Sequence, residues 1–348
     1  YESTGDSLAL DLAGRFAQKS RDFGSASRFF GHALASDPEN RDLLRRAFLV
    51  GLAKGRFEEA TELGRRIVDQ DKDAAMANLV LLIGELIEGK LTLADERLSS
   101  MPRRGLSTFV VPMMRAWTFA GQRKTKEAID ALTPLASIQG FAVLHNLHAG
   151  LIHDLAGDLA KAEEHYRRAI GGGSRVTLRI VVALGSLLER TGKADDAKAL
   201  YTKYLDENPD SMMLEPALAR LEGRGKPPKL ARTAIDGAAE VLFNLSGTLT
   251  RENSAETALI YGRLSLQLRP DFPIARMLVG RILESLGRPA DAIEVYDRIS
   301  PISTLSWLAR LRKAASLETL GKDEQAIEQL RRMVQEESAR ADGLVNLG

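Results

Sequence analysis

The sequence contains no cysteine, which excludes disulfide bonds, thiolate metal sites and cysteine nucleophiles. Aromatic residues make up only 5% of the 348 residues although 44% are hydrophobic, so a core must be built mainly from aliphatic side chains. No apolar run approaches the roughly 18–20 residues that a membrane-spanning helix needs. The formal net charge is +1, and this balance gives no electrostatic case for binding nucleic acid or an acidic membrane surface.

Motifs of enzyme active sites are also missing, since no Walker, nucleophile-elbow or zinc-protease pattern occurs. His145, His148 and His153 invite a metal hypothesis, but His153 lies about 140° from His148 around an ideal helix. No cysteine or carboxylate cluster completes a ligand set. The stretch Gly171–Ser174 is similar to a phosphate cradle, yet such cradles follow a strand, so we interpret it as a turn. We therefore predict no catalytic residue, no metal and no cofactor.

What the sequence does contain is a repeated pair of helices. In residues 143–170, apolar residues recur at helical spacing on both sides of Gly157, which predicts two short helices joined by a turn. Neither helix could bury its apolar face alone, so the unit needs stacked neighbours. An alanine in the second helix marks each copy, and successive markers are 34 residues apart except for one step of 35 and one break. The marker alanines are Ala26, Ala60, Ala94, Ala128, Ala162, Ala197, Ala258, Ala292 and Ala326.

This pattern resembles the tetratricopeptide repeat family over nearly the whole chain. In residues 7–40, Gly14 falls in the first helix, Phe30 in the second, and Pro38 closes the repeat, although the tryptophan common near the start of the first helix is absent. The resemblance implies an all-α, right-handed superhelical solenoid of about nine helix-turn-helix repeats. We expect a partial tenth repeat at 341–348 and a parent protein that continues beyond it. The residues expected to pack repeat against repeat are the nine marker alanines and Gly14, Gly150, Gly185 and Gly280.

A break in the period divides the predicted array. We predict an N-terminal array of six repeats over residues 7–211, an irregular helix and linker over 212–238, and a C-terminal array of three repeats and a truncated fourth over 239–348. The linker prediction rests on Gly223–Lys229, because its prolines and glycines cannot continue a helix.

In tetratricopeptide arrays, one face of the first helix of each repeat lines a concave wall. The resemblance places mostly apolar residues on that wall in repeats two to five. The expected groove residues are Leu49, Met76, Leu79, Ile83, Val110, Met113, Trp117, Leu144, Leu147 and Leu151. Because large exposed apolar patches are usually covered or used, two alternatives follow with equal weight. Either the groove binds an apolar helix or extended peptide of a partner, or it is filled from within the same protein, by tight superhelical curvature or by a segment beyond the ends of the given sequence.

The favoured function is a non-catalytic scaffold or adaptor that binds protein partners, because a repeat array offers a long surface rather than an enclosed pocket. The stretches Leu12–Gln18, Asp37–Leu49 and Ala238–Ser246 are similar to repeat proteins of alphaproteobacterial envelopes, among them lipid-anchored adaptors that present substrates to a carboxyl-terminal processing protease. That resemblance implies a periplasmic or envelope-associated location, with a cytoplasmic location as the alternative, and a protease or envelope-assembly partner. Two other functions stay open. One is a regulatory arm of an enzyme whose catalytic domain lies outside this chain, and the other is a self-assembling structural protein in which the groove takes a second copy.

Overall fold

A computed structural model describes residues 2–20, 22–138, 140–171, 177–209, 211–223, 225, 227–252 and 254–336, without the side chains of residues 2–6 and 212. Over these ranges the chain forms nineteen α-helices and one short 3-10 helix, and no strand. The prediction of an all-α fold built from repeated helix pairs is confirmed. Within the same ranges, every helix is too short or too polar to span a lipid bilayer.

The helices before the break in the period are α1 (Glu2–Lys19), α2 (Phe23–Ser36), α3 (Arg41–Lys54), α4 (Phe57–Gln70), α5 (Ala75–Ile87), α6 (Leu91–Ser100), α7 (Ser107–Gly121), α8 (Thr125–Ala136), α9 (Ala142–Ala156), α10 (Leu159–Gly171), α11 (Leu178–Arg190) and α12 (Ala194–Glu207). A 3-10 helix (Met212–Leu214) and α13 (Glu215–Glu222) follow. The remaining helices are α14 (Ala234–Arg251), α15 (Ala255–Leu268), α16 (Pro273–Ser285), α17 (Pro289–Tyr296), α18 (Ser306–Thr319) and α19 (Asp323–Glu336).

Local sequence features determine where these helices begin and end. The Asn40 side chain precedes α3 and accepts hydrogen bonds from the backbone N–H groups of Asp42 (3.1 Å) and Leu43 (3.2 Å), which satisfies two of the donors that a helix start leaves unpaired. Gly55 follows α3 in the left-handed conformation, with φ of 78°, and Gly157 follows α9 in the same way, with φ of 88°. Glycine adopts this conformation without the steric cost that a Cβ brings, so it ends one helix and starts the turn to the next.

In several pairs, a glycine of the first helix lies against an aromatic ring of the second. A Cβ at Gly150 would lie only 2.5 Å from the ring of Tyr166, and one at Gly185 would lie 2.2 Å from the ring of Tyr201. All nine marker alanines are buried, each with 7% or less of its surface exposed. The small residues therefore sit where two helices approach closely.

The chain packs into two compact units. The first consists of Tyr1–Ile83 together with Leu242–Gly348, and the second consists of Gly84–Val241. In the first unit, α3 packs against α15, so helices that are far apart in sequence meet. In the second unit, each helix from α6 to α12 packs against the next along the chain, and a loop containing Pro102 joins α6 to α7.

The region after α12 differs in detail from the predicted linker. α14 begins at Ala234, ahead of the predicted start at Ala239. The Thr233 hydroxyl accepts the backbone N–H of Asp236 (3.0 Å), and the Asp236 carboxylate accepts the N–H of Arg232 (2.9 Å). This reciprocal arrangement is a variant of the capping box, and it fixes a helix start that the period of the repeats did not indicate.

Three predictions fall partly or wholly outside the described residues. They are the turn beyond Gly171, positions 224 and 226 of the predicted linker loop, and the partial tenth repeat at 341–348.

Candidate functional site

Most of the residues predicted to line an open groove are buried. The buried ones are Leu79, Ile83, Val110, Met113, Trp117, Leu147 and Leu151, each with 3% or less of its surface exposed. Met76 and Leu144 are half-buried, and Leu49 on α3 is 43% exposed. The side chains predicted for α7 and α9 are therefore largely withdrawn from solvent.

In the second unit, a segment of the same chain lies against these helices. We call residues 227–241 the covering segment and the faces of α7, α9 and α11 that contact it the inner wall. The contact is closest at Gly237, where a Cβ would lie 2.2 Å from the indole ring of Trp117. Near the same helix start, a Cβ at Gly121 of α7 would lie 3.3 Å from the Cβ of Ala234. The segment that lies against these helices is internal to the chain, so it is neither a separate partner nor a segment beyond the ends of the given sequence.

The extended part of the covering segment is held by hydrogen bonds that involve the backbone. The Ser186 hydroxyl of α11 donates to the carbonyl oxygen of Pro228 (2.8 Å), and the Lys229 ammonium donates to the carbonyl oxygen of Asp154 at the end of α9 (2.8 Å). Only the first of these bonds reaches the backbone of the covering segment, since the second uses the Lys229 side chain. The inner wall is thus occupied by part of the chain, through one backbone contact and one side-chain contact.

Two buried ion pairs stabilise this region, one between α11 and the covering segment and the other between α11 and α9. Arg179 of α11 pairs with Glu240 of the covering segment, whose side chain is fully buried, and the Nε–Oε2 distance is 2.9 Å. Arg190 makes two hydrogen bonds to the Asp154 carboxylate, at 3.0 and 2.5 Å. In each pair a guanidinium engages the carboxylate, so the two charges compensate each other where they are buried.

The three histidines of α9 separate in the structure. His148 is fully buried, and its Nδ1 accepts the indole N–H of Trp117 (3.1 Å). Burial lowers the pKa of His148 to about 3, since a charged imidazole would be removed from water, so the ring is neutral at physiological pH. His148 therefore fixes the ring of the tryptophan that the covering segment contacts.

His145 and His153 lie on another side of α9, next to His165 of α10. The rings of His153 and His165 stack with centroids 5.5 Å apart, and those of His145 and His165 are 6.2 Å apart. Burial lowers the pKa of all three imidazoles. In the part of the chain that the structure describes, no group of three or more histidine or carboxylate side chains is arranged to hold a metal ion.

One exposed apolar surface was not predicted from the sequence. Leu8, Leu12 and Phe16 of α1 are 61%, 57% and 73% exposed, and their spacing of four residues places them on one face of the helix. We call these three residues the α1 stripe. Their spacing was a usable signal, but the first helix of an inner repeat carries apolar residues on similar faces, so the sequence alone did not show which face is left uncovered.

Two models of the tetratricopeptide repeat family match the chain, one over residues 144–241 and the other over residues 252–303. No curated protein sequence gives a significant match.

Several solved structures are similar at low identity. The chain is similar to a chain of the Naa15/Naa10 complex bound to HypK-THB, with 15% identity over 93% of this chain and 57% of that chain and a TM-score of 0.39. It is also similar to a chain of the APC/C hetero-tetramer Cut9-Hcn1, with 16% identity over 87% of this chain and 52% of that chain and a TM-score of 0.36. The tetratricopeptide domain of P58(IPK) is 14% identical over 98% of this chain and 96% of that chain, with a TM-score of 0.30. The chain thus spans 57% and 52% of the first two chains.

Models of the tetratricopeptide repeat thus match the chain over residues 144–241 and 252–303, and the stacked helix pairs with small residues buried at their contacts have the architecture of such repeats.

Proposed function

We propose that the protein is a non-catalytic scaffold that binds an amphipathic helix of a protein partner on the α1 stripe. Arrays of this repeat generally serve as interaction scaffolds, and their stacked helices offer extended surfaces rather than enclosed reaction sites. The observation that carries the proposal is the exposure of three large apolar side chains on one face of α1, whose opposite face packs on α2. Contiguous exposed apolar side chains are typical of interaction surfaces.

The opposite face of α1 packs against α2, so the α1 stripe lies on the side of the helix that faces away from α2. Ser7 and Gly14 are buried against α2, where the Ser7 hydroxyl donates to the carbonyl oxygen of Ala33 (3.4 Å) and a Cβ at Gly14 would lie 2.6 Å from the ring of Phe30. The α1 stripe therefore offers a partner an apolar helix face of the kind that packs against neighbouring helices within the array.

The energetics indicate what else the partner must supply. Covering the exposed fractions of the three side chains would contribute on the order of 3–6 kcal/mol. Association costs an estimated 4–15 kcal/mol, so the stripe alone does not give a stable complex. Arg15, which is half exposed and pairs with Asp11, and the exposed Lys19 flank the stripe. A partner helix with an apolar face and an acidic flank would complement both features.

The test uses a variant that changes only exposed atoms. Leu12→Glu/Phe16→Glu places two charges in the stripe, and Ile302→Glu, at a residue that is 95% exposed, is the matched control. Affinity capture from the native cell is expected to yield the same partners with the wild type and the control and to lose them with the double variant. Circular dichroism would show that all three proteins are equally helical.

Two results would refute the proposal. One is capture of the same partners by the double variant. The other is a double variant that differs from wild type only in self-association, measured by light scattering across concentration, because the stripe would then bind a second copy of the chain.

Binding of a peptide or helix on the inner wall stays a prediction, since a partner would have to replace the covering segment. We also propose that the scaffold works in the periplasm or at the envelope, with a processing protease or assembly machinery among its partners. The support for this part is the similarity of three stretches to envelope repeat proteins. Cell fractionation tests it, and recovery of the native protein only in the cytoplasmic fraction would contradict it.

A further inference from the structure

A cluster of cationic side chains lies in the first unit where α3 packs against α15. Lys54 ends α3, Arg263 lies within α15, and Arg288 and Asp291 stand at the start of α17. The Lys54 ammonium donates to Asp291 Oδ1 (2.8 Å), which joins the N-terminal helices to the C-terminal ones. We call this place the junction.

Arg288 is the most buried member of the junction, with 1% of its side chain exposed. Its Nε donates to Asp291 Oδ2 (2.6 Å), and its guanidinium carbon lies 4.3 Å from the centroid of the Phe23 ring. Among the described residues, its Nη1 and Nη2 have no hydrogen-bond partner although both are buried. A buried donor without a partner costs roughly 1–3 kcal/mol, and more when the group is charged. An acceptor that bonded to the Nη1 and Nη2 donors of Arg288 would therefore stabilise the folded protein.

Arg263 has a smaller deficit of the same kind. Its Nε is buried without a hydrogen-bond partner among the described residues, and its side chain runs past Gly55, where a Cβ would lie 3.6 Å from Arg263 Cδ and Nη1. Burial lowers the pKa of Arg263 to about 10, and the nearby charge of Arg288 acts in the same direction. Glu294 and Arg298 also act on Arg263, but they are exposed and oppose each other.

The charges of the junction do not balance. Three cations, Lys54, Arg263 and Arg288, surround one carboxylate, Asp291, which is already shared by Lys54 and Arg288. Three positive charges less one negative charge leave an excess of two. Partly buried charge without compensation is costly, and two guanidinium groups offer the fork of N–H donors that matches an oxyanion.

We propose that Arg263 and Arg288 bind an oxyanion of the phosphate class at the junction. A phosphate group carries between one and a half and two negative charges near pH 7, which matches the excess better than a single carboxylate does. Lys54 and Asp291 are about one-fifth exposed and Arg263 is half-buried, so these side chains connect the site to solvent. By joining α3 to α15 and α17, the bound anion would hold the N-terminal repeats against the C-terminal ones.

The first experiment uses inorganic phosphate as the probe. Thermal unfolding of the full chain is followed while phosphate replaces chloride at constant ionic strength, and isothermal titration calorimetry measures binding directly. We expect the wild type to show a saturable rise in Tm and binding of about one phosphate per chain. Arg263→Met keeps the aliphatic stem and removes an unpaired charge, so it should fold, and its phosphate response should be lost or at least tenfold weaker. Arg332→Met, at a side chain that is 64% exposed, is the matched control and should respond like the wild type.

The outcome separates a binding site from a general salt effect. A wild type that binds no phosphate saturably, or an Arg263→Met variant that responds as the wild type does, would overturn the proposal. Arg288→Met is a second variant, but it also removes a partner of Asp291 and could destabilise the fold, so Arg263→Met decides the question.

Further titrations identify the source of the phosphate group. A short phosphoserine peptide and its unphosphorylated counterpart are titrated in the same way. Binding of the phosphopeptide at least tenfold more tightly than inorganic phosphate, with no binding of the counterpart, would assign the site to a phosphorylated partner. Equal binding of phosphopeptide and inorganic phosphate would assign it to the free anion.

Discussion

Replacement of Gly237 by alanine tests the contact between the covering segment and the inner wall most directly. Gly237 lies in the first part of α14, and a Cβ at this position would lie 2.2 Å from Cε3 and Cζ3 of Trp117. The indole cannot move away easily, because the side chain is buried and its N–H is bonded to His148. A small residue is therefore needed in a helix where glycine is otherwise unfavourable.

Two effects of opposite sign determine how much Gly237→Ala changes the free energy of unfolding. Glycine inside a helix is less stable than alanine by roughly 0.5–1 kcal/mol, so helix propensity alone favours Gly237→Ala. Forcing an extra methyl group into a well-packed contact typically costs about 1–3 kcal/mol, and a distance of 2.2 Å is far inside van der Waals contact. We expect the packing cost to win and the variant to lose on the order of 1–2 kcal/mol of unfolding free energy.

The assay is urea unfolding followed by far-UV circular dichroism. Gly84→Ala is the matched control, because Gly84 is also inside a helix, α5, and a Cβ there would meet no atom within 4 Å. The control should be more stable than the wild type and Gly237→Ala less stable. Trp117→Leu in the Gly237→Ala background should recover part of the loss, giving a coupling energy of about 1–3 kcal/mol in a double-mutant cycle. If Gly237→Ala were as stable as Gly84→Ala, the backbone of α14 could not lie against Trp117.

Three further predictions concern the buried polar groups of the second unit. Because the pKa of His148 is about 3 in the folded state and 6.5 in the reference state, the unfolded chain binds more protons below pH 6.5. His148 alone should therefore remove on the order of 2 kcal/mol of stability between pH 7 and pH 5, and His148→Asn, which keeps an acceptor but does not titrate, should flatten that part of the pH–stability curve. Arg190→Met leaves the buried Asp154 carboxylate without its bidentate partner, and urea unfolding should show a loss of about 3 kcal/mol or more. Lys229→Met removes a hydrogen bond to the Asp154 carbonyl oxygen and a 3.5 Å ion pair with its carboxylate, both made by a side chain that is 35% exposed, and the loss should be about 1 kcal/mol or less; equal losses in the last two variants would contradict the ranking of Arg190 above Lys229.

The sequence was sufficient to predict the class of fold because the repeat is a local signal. Many helix pairs carry a turn glycine, such as Gly157, and several carry a small residue under an aromatic ring, such as Gly150 under Tyr166. These features recur at a fixed spacing and depend only on neighbours within one or two repeats. Periodicity therefore predicted the helix pairs, even though the helix start at Ala234 depended on a cap at Thr233 that lies outside the repeat pattern.

The candidate sites depend instead on contacts between residues that are distant in sequence. Trp117 and Gly237 have nothing in their separate surroundings that indicates a contact, and the same holds for Lys54 and Asp291. A repeat pattern predicts that each first helix has an apolar face. Whether another segment covers that face depends on how the chain folds in three dimensions. This is why the apolar residues predicted as a partner groove on α7 are buried by the chain itself, whereas the similar face of α1 is left exposed. For a repeat protein, a partner surface is therefore better sought where apolar periodicity coincides with exposure in the folded structure, as at Leu8, Leu12 and Phe16 of α1.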